Sequence, residues 1–259
     1  MKTALFGVAA LAATLFTLNA QAASQANVWR VWNDTVAPAQ QQAYEAGIKT
    51  FNQCLRQHGF KYGVGAFTQS TGNTYQYAYV IGPVTWADFD VNHAFTACNA
   101  TYSAAVDPHL QSETSGYLTL AAGMYHLSGT PAALAAPGAL ALLDVNQFTL
   151  KPSQGAGDTF VKSVKEIYTA MEKARWPHYS ETFAIVAAGP GAADYELVGF
   201  DDNWAQFGAD ENSSLMSMLD TAYGKKKAGD IMKSVNSVIA SAEESVYRAD
   251  PALTYTPAN

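Results

Sequence analysis

Charged residues are scarce in this sequence, and cysteine is scarcer. Asp, Glu, Lys and Arg make up 14% of the 259 residues, and the only cysteines are Cys54 and Cys98. Proteins that hold nucleic acid or an anionic membrane surface concentrate basic residues. Here the formal charge is −7, and the one basic run, Lys225-Lys226-Lys227, is short enough to be a solvated helix end. Nucleic acid is therefore not expected as a partner. Strong catalytic signatures are also missing: there is no Gly-x-Ser-x-Gly, no His-Glu-x-x-His and no Cys-x-x-Cys. Gly63-Val64-Gly65 and Gly155-Ala156-Gly157 lack the third glycine of a dinucleotide fingerprint and read as tight turns or close packing. The histidines, His58, His93, His109, His126 and His178, are all more than four residues apart, so no metal site is expected.

Long apolar runs are missing too, except at the start. Ala132 to Leu143 comes closest to a later span, but Pro137 and Gly138 interrupt it. At the N-terminus, Lys2, the apolar run Ala4 to Leu18 and the small residues of Ala20-Gln21-Ala22 read as a cleaved export signal over residues 1–22. An uncleaved anchor is the alternative, but the run is shorter than the roughly 20 residues a spanning helix needs. The mature protein is expected to begin at about Ala23 and to work in the periplasm or outside the cell. In such an oxidising compartment, an isolated cysteine pair favours one structural disulfide, Cys54 to Cys98, over two buried thiols.

The chain also resembles itself. Tyr44, Ile48, Phe51 and Leu55 form an amphipathic helical stripe, and Phe160, Val164, Ile167 and Met171 repeat it 116 residues later. Each stripe precedes two strand-like runs, Lys61 to Thr68 and Tyr75 to Ile81 in one half, Glu181 to Val186 and Tyr195 to Phe200 in the other. Trp86-Ala87-Asp88-Phe89 then matches Trp204-Ala205-Gln206-Phe207 at an offset of 118. Beyond a further insertion, Ala94, Cys98 and Tyr102 match Leu215, Leu219 and Tyr223. Leu110, Thr114, Leu118 and Ala121 match Ile231, Val235, Ile239 and Ala242, and this spacing predicts another helix in each half. Offsets that change only at turns indicate duplication. Residues 23–134 and 142–259 are the expected repeats, with 135–141 as an Ala- and Pro-rich linker.

Strand candidates at Val28 to Thr35 and Ala141 to Thr149 open the halves, and short final strands are expected near Gly123 to Leu127 and Ser245 to Arg248. Strand, helix, two strands, helices and a last strand is the split ferredoxin-like order. With its duplication and its Trp-Ala-x-Phe elements, the chain resembles the dimeric α/β-barrel superfamily, including antibiotic-biosynthesis-type monooxygenases, EthD-like and NIPSNAP-like proteins. The resemblance implies an α+β fold in which two tandem ferredoxin-like repeats form an intramolecular pseudo-dimer. An all-helical protein is the alternative, opposed by the Tyr-rich, Gly-turned runs. The superfamily includes cofactor-independent oxygenases, haem proteins and members without known activity, so the resemblance fixes no function.

Candidate site residues come from the strands and helix starts. Tyr75, Tyr77 and Tyr79 alternate along one run and share a strand face. They either fill a core or line an amphipathic pocket where the halves meet. Trp86 and His93 are further wall candidates, and one of Trp29 and Trp32 is expected to join them. Asp88 and Asp90 read as either an acid pair or, more simply, the negative start of a helix. Two classes of function follow. One is an exported binding or envelope-associated protein for a small apolar or aromatic ligand. The other is a cofactor-independent or haem-linked monooxygenase-like enzyme. No cofactor is required by any motif, and haem remains open.

Overall fold

The computed structural model describes residues 27–91, 93–126, 142–177, 179–211 and 214–257. The expected export signal, the linker 135–141 and His178 lie outside them.

Alternation along the strands divides the apolar residues between two faces. In β1 (Val28–Val36), Trp32 and Val36 are buried against helices and Val28 is buried at the same parity, while Trp29, Val31 and Asn33 turn the other way. β2 (Gly65–Gln69) and β3 (Gln76–Val84) follow the helix α1 (Gln41–Gln57). Next come α2 (Trp86–Asp90), α3 (His93–Ala105) and the long β4 (Leu110–His126). The second half runs β5 (Leu142–Leu150), α4 (Ala156–Ala174), β6 (Tyr179–Ala188) and β7 (Tyr195–Asp201). It ends with α5 (Trp204–Glu211), α6 (Leu215–Tyr223), α7 (Lys225–Val238) and β8 (Ile239–Ala249).

All eight strands close into one antiparallel barrel, in the order β1-β3-β2-β8-β5-β7-β6-β4. Each half therefore contributes a run of the same order, its fourth strand beside its first, then its third, then its second. Two seams join the runs. β2 and β8 pair over Phe67↔Ala249, Thr68↔Arg248 and Gln69↔Tyr247. β4 and β6 pair from Gly116↔Ala188 to His126↔Ser180, with two register shifts.

Helices cover the outside of the barrel. Tyr44, Ile48, Phe51 and Leu55 of α1 are buried on Tyr77, Tyr79 and Ile81. Phe160, Val164 and Met171 of α4 pack with Met218, Leu219, Ile231 and Val235 of α6 and α7. α1 and α3 lie side by side, joined by the Cys54–Cys98 disulfide at a Cα separation of 5.9 Å. Their approach needs a glycine. A Cβ on Gly47 would run into the carbonyl oxygen of Ala105. A third cluster, including Phe67, Leu118, Val145, Phe183 and Val198, lines the lumen.

Three expectations fail. Leu110, Thr114, Leu118 and Ala121 belong to β4 and not to a helix. A spacing of four fits both a helical stripe and period two, and the Ser- and Thr-containing run between them favours a strand. In the second half, Ile231 and Val235 are helical, but Ile239 and Ala242 belong to β8. The final strands are therefore long, not short. Tyr75 lies in the turn before β3, outside the alternating row.

Candidate functional site

The barrel lumen is where the bare sheet faces meet, and the side chains sent there do not fill it. Besides Trp29, Phe67 and Leu118, the first half supplies small residues: Gly65 from β2, and Ala78, Val80 and Gly82 from β3. Gly82 has φ 148°, and a Cβ there would lie 2.5 Å from Cδ1 of Trp29. No other residue would let the indole lie over that strand. The second half supplies larger groups: Tyr179, Glu181 and Phe183 from β6, and Glu196, Val198 and Phe200 from β7. The result is a cavity of about 710 Å³ with mainly apolar walls. A second space of about 440 Å³ opens toward the 189–193 turn, and the two share Val31, Asn33, Gln147, Glu196 and Tyr247.

Aromatic rings frame the larger cavity. Trp29 meets Phe183 edge-on at 4.9 Å, and Tyr179 meets Phe200 edge-on at 4.7 Å. Two carboxyl groups stand among them. Tyr179 donates its hydroxyl proton to Glu181 Oε1 at 2.9 Å, and Gln147 Nε2 donates to Glu196 Oε2 at 2.9 Å. Burial raises the pKa of both acids, partly offset by these bonds. The hydroxyl of Tyr247, which accepts from Gln76 Nε2 at 3.2 Å, is pushed up to about 12 by burial and by nearby Glu196. Among the described residues, no Lys, Arg or His lines this cavity.

The residues singled out in the sequence lie elsewhere. Tyr77 and Tyr79 are buried under α1, on the opposite face of β3 from the lumen, and Tyr75 is in a turn. Trp86 is half exposed and packs on Phe89 and Tyr117 outside the barrel. His93 is exposed at the start of α3. None of the five lines the cavity. The parity of β3 decides this: Ala78 and Val80 are the lumen residues, so the tyrosines between them must face the helices. Of the two tryptophans of β1, Trp29 is in the lumen and Trp32 under the helices. Asp88 caps α2, accepting from the Thr85 amide and hydroxyl, and Tyr62 donates to its other oxygen. These bonds hold its pKa below the usual range, the behaviour of a helix cap.

The tyrosines do build a polar chain in the outer core. Asp34 is fully buried, with Oδ2 2.6 Å from the Tyr44 hydroxyl, which in turn lies 2.9 Å from the Tyr79 hydroxyl. Burial raises the Asp34 pKa to about 7 against the opposing effect of the Tyr44 bond. A single Tyr44 proton cannot serve both neighbours. When Asp34 is ionised it takes that proton and Tyr79 donates to Tyr44; when Asp34 is protonated the chain can reverse. The space beside this chain is only about 20 Å³, room for roughly one water, so it is structural.

Asp34, Glu181 and Glu196 were not anticipated. The signal was present: Glu181 shares its strand parity with Tyr179, Phe183 and Ile185, and Glu196 with Val198 and Phe200. An acid on an apolar strand face is unusual unless that face borders a cavity.

No protein-family model and no curated protein matches the sequence. Solved structures do share the fold. An anthrone oxidase-like protein aligns with a TM-score of 0.57 at 11% identity, over 88% of this chain and 93% of that one. A candidate monooxygenase from Lactobacillus acidophilus aligns at 0.55 and 8%, over 89% and 96%. A mutant chlorite dismutase from Candidatus Nitrospira defluvii aligns at 0.53 and 10%, over 90% and 95%. The likeness is one of architecture, the dimeric α/β-barrel type.

Among the described residues, the lining of this lumen does not suit a haem. No cation among them lines the cavity to balance a pair of propionates, and Glu181 and Glu196 are already acidic. The wall carries no His, Cys or Met as an axial ligand among the described residues, and its tyrosines Tyr179 and Tyr247 are engaged with Glu181 and Gln76. His58 and His93 are exposed, and His109 bonds Gln40 Oε1 outside the barrel. Cys54, Cys98 and His58 cluster within 4.8 Å, but the disulfide occupies both sulfurs.

Proposed function

We propose that this is an exported small-molecule-binding protein whose ligand occupies the barrel lumen. The observation that carries the reading is the unfilled space itself. A concave, largely apolar volume of about 710 Å³ with a few polar groups has the size and character of ligand sites. The N-terminal signal pattern supports export, and a mature N-terminus at about Ala23 in intact-mass analysis of secreted material would bear it out. The repeated strand order and matching sequence offsets support a duplicated ferredoxin-like unit, fused so that both copies share one lumen.

Ala78→Phe tests the ligand site. It adds a ring to the lumen wall, away from the helix-facing cores. The wild-type protein should bind a neutral naphthalene-type fluorophore, and the folded variant should not. Equal binding by both would remove the lumen from consideration.

A second reading is a cofactor-independent oxidase acting on an electron-rich aromatic in the same cavity. It is supported by the fold likeness to the anthrone oxidase-like protein, and by Glu181 and Glu196 as bases with raised pKa values in an apolar site. Oxygen uptake with anthrone, lost in Glu181→Gln, would favour it. No uptake alongside fluorophore binding would favour a binding protein.

A further inference from the structure

We infer that the lumen is selective for an organic cation, an ammonium group carrying an aromatic or aliphatic body. The inference rests on the lumen being the ligand site and concerns what that site prefers.

Charge is the first argument. Glu181 and Glu196 project into the cavity, and each accepts one hydrogen bond from a neutral neighbour, Tyr179 and Gln147. Among the described residues neither forms an ion pair, and no basic side chain lines the cavity. Two carboxyl groups placed in an apolar enclosure without a counter-charge are costly. A bound cation would supply that counter-charge. An anion would find no counter-charge among the lining residues.

The second argument is geometric. Glu181 lies between Tyr179 and Phe183 on one strand face. Phe183 is also the cross-strand partner of Glu196, and Tyr179 that of Phe200. With Trp29 against Phe183, the acids are set among aromatic rings. Ring faces attract cations, more strongly where water is excluded, so carboxylate and aromatic wall act on the same ligand charge.

A third argument comes from the opposite side of the barrel. The positions matching Glu181, Glu196 and Phe200 in the first half are Gly65, Ala78 and Gly82. The acids and rings therefore face open space, where a ligand body can sit.

Calorimetric titration of the full-length mature protein with three matched ligands tests this: naphthylmethyl-trimethylammonium, its uncharged neopentyl isostere, and naphthylacetate. The cation should bind about tenfold or more tightly than the neutral isostere, and naphthylacetate should bind more weakly than either. Glu181→Gln should bring the cation's affinity close to the isostere's, the ratio between the two being the readout; Glu196→Gln is the second variant should the first not fold. Ala78→Phe should abolish all lumen binding, which separates it from cations gathered on an acidic surface. If isostere and cation bind equally, or Glu→Gln leaves their ratio intact, the cation inference fails and the ligand site stands. If nothing binds, or Ala78→Phe changes nothing, both fail together.

Discussion

The two halves of the barrel hold equivalent positions and fill them oppositely. Facing the lumen, Gly65, Ala78 and Gly82 of the first half stand against Glu181, Glu196 and Phe200 of the second. Facing the helices, the first half carries a disulfide and the Asp34–Tyr44–Tyr79 chain. The second half has Leu219 where the first has Cys98, and neutral hydroxyl pairs, Tyr168–Thr182 at 2.8 Å and Ser163–Ser234 at 3.1 Å. Cavities arise from such asymmetry. Two halves lined with large residues would close the lumen, and two lined with small ones would leave it without chemistry. In this chain β2 and β3 give room, and β6 and β7 give groups to bind with.

Removing the covalent tie should have the largest effect on that contrast. Cys54→Ala with Cys98→Ala frees a 44-residue separation, a loss of about 4 kcal/mol by the chain-entropy estimate. Chemical denaturation with and without reductant measures it. A loss confined to less than about 1 kcal/mol would mean that the first half, like the second, is held by packing alone.

The next effect depends on pH. Burial pushes the Asp34 pKa from the ordinary 3.8 up to about 7, so its protonated form is favoured by folding. Its contribution is fully present below about pH 4, declines as the unfolded carboxyl ionises, and is lost once pH passes about 7. Relative to Asp34→Asn, the wild type should lose roughly 3 kcal/mol between pH 4 and 8. Glu181 and Glu196 shift in the same direction, but both proteins carry them. Parallel unfolding curves across that range would show that Asp34 is not held protonated.

Leu219→Ala probes the other half. Leu219 is fully buried among α4, α6 and α7, and its truncation should cost about 3 kcal/mol. Urea midpoints would report it, and a cost far below this would mean that the second half tolerates a cavity the first does not.

The smallest effect separates two matched tryptophans. Trp86 and Trp204 are each 51% exposed. Trp86 touches Phe89 and Tyr117, whereas the ring contact found for Trp204 is with Phe207. Trp86→Ala should cost about 1 kcal/mol and Trp204→Ala about half that, measured by thermal melts. Equal costs would make the extra Tyr117 contact irrelevant.

Most of the strands, the helical stripes and the cysteine pairing were legible in the sequence, because they rest on local periodicity and on a pair with no competitor. The long β4 was not, since Leu110, Thr114 and Leu118 satisfy two periods at once. The site was legible in position but not in membership. Opposed bare faces follow from strand order, yet which parity of β3 faces inward is set by what β1 and β2 do beside it. The tyrosines Tyr77 and Tyr79 mark the packed face. The lumen face announced itself more quietly, through Glu181 and Glu196 in otherwise apolar rows. The empty volume depends on a difference between distant strands, which no single stretch of sequence displays.

The end of β8 continues across the seam into the first half. Val64 and Tyr255 exchange backbone hydrogen bonds, Asn52 Nδ2 bonds the Leu253 carbonyl, and the Tyr255 hydroxyl donates to the Phe60 carbonyl. Leu253 and Tyr255 are both buried in the core beneath α1. Protein synthesis runs from N- to C-terminus, so the part of the barrel made first is the part completed last. Until Tyr255 has emerged, the slot between α1 and β2 stays open, however long the earlier strands have been available. A chain ending after β7 would lack both the β2–β8 seam and the Leu253 and Tyr255 contacts that close this slot.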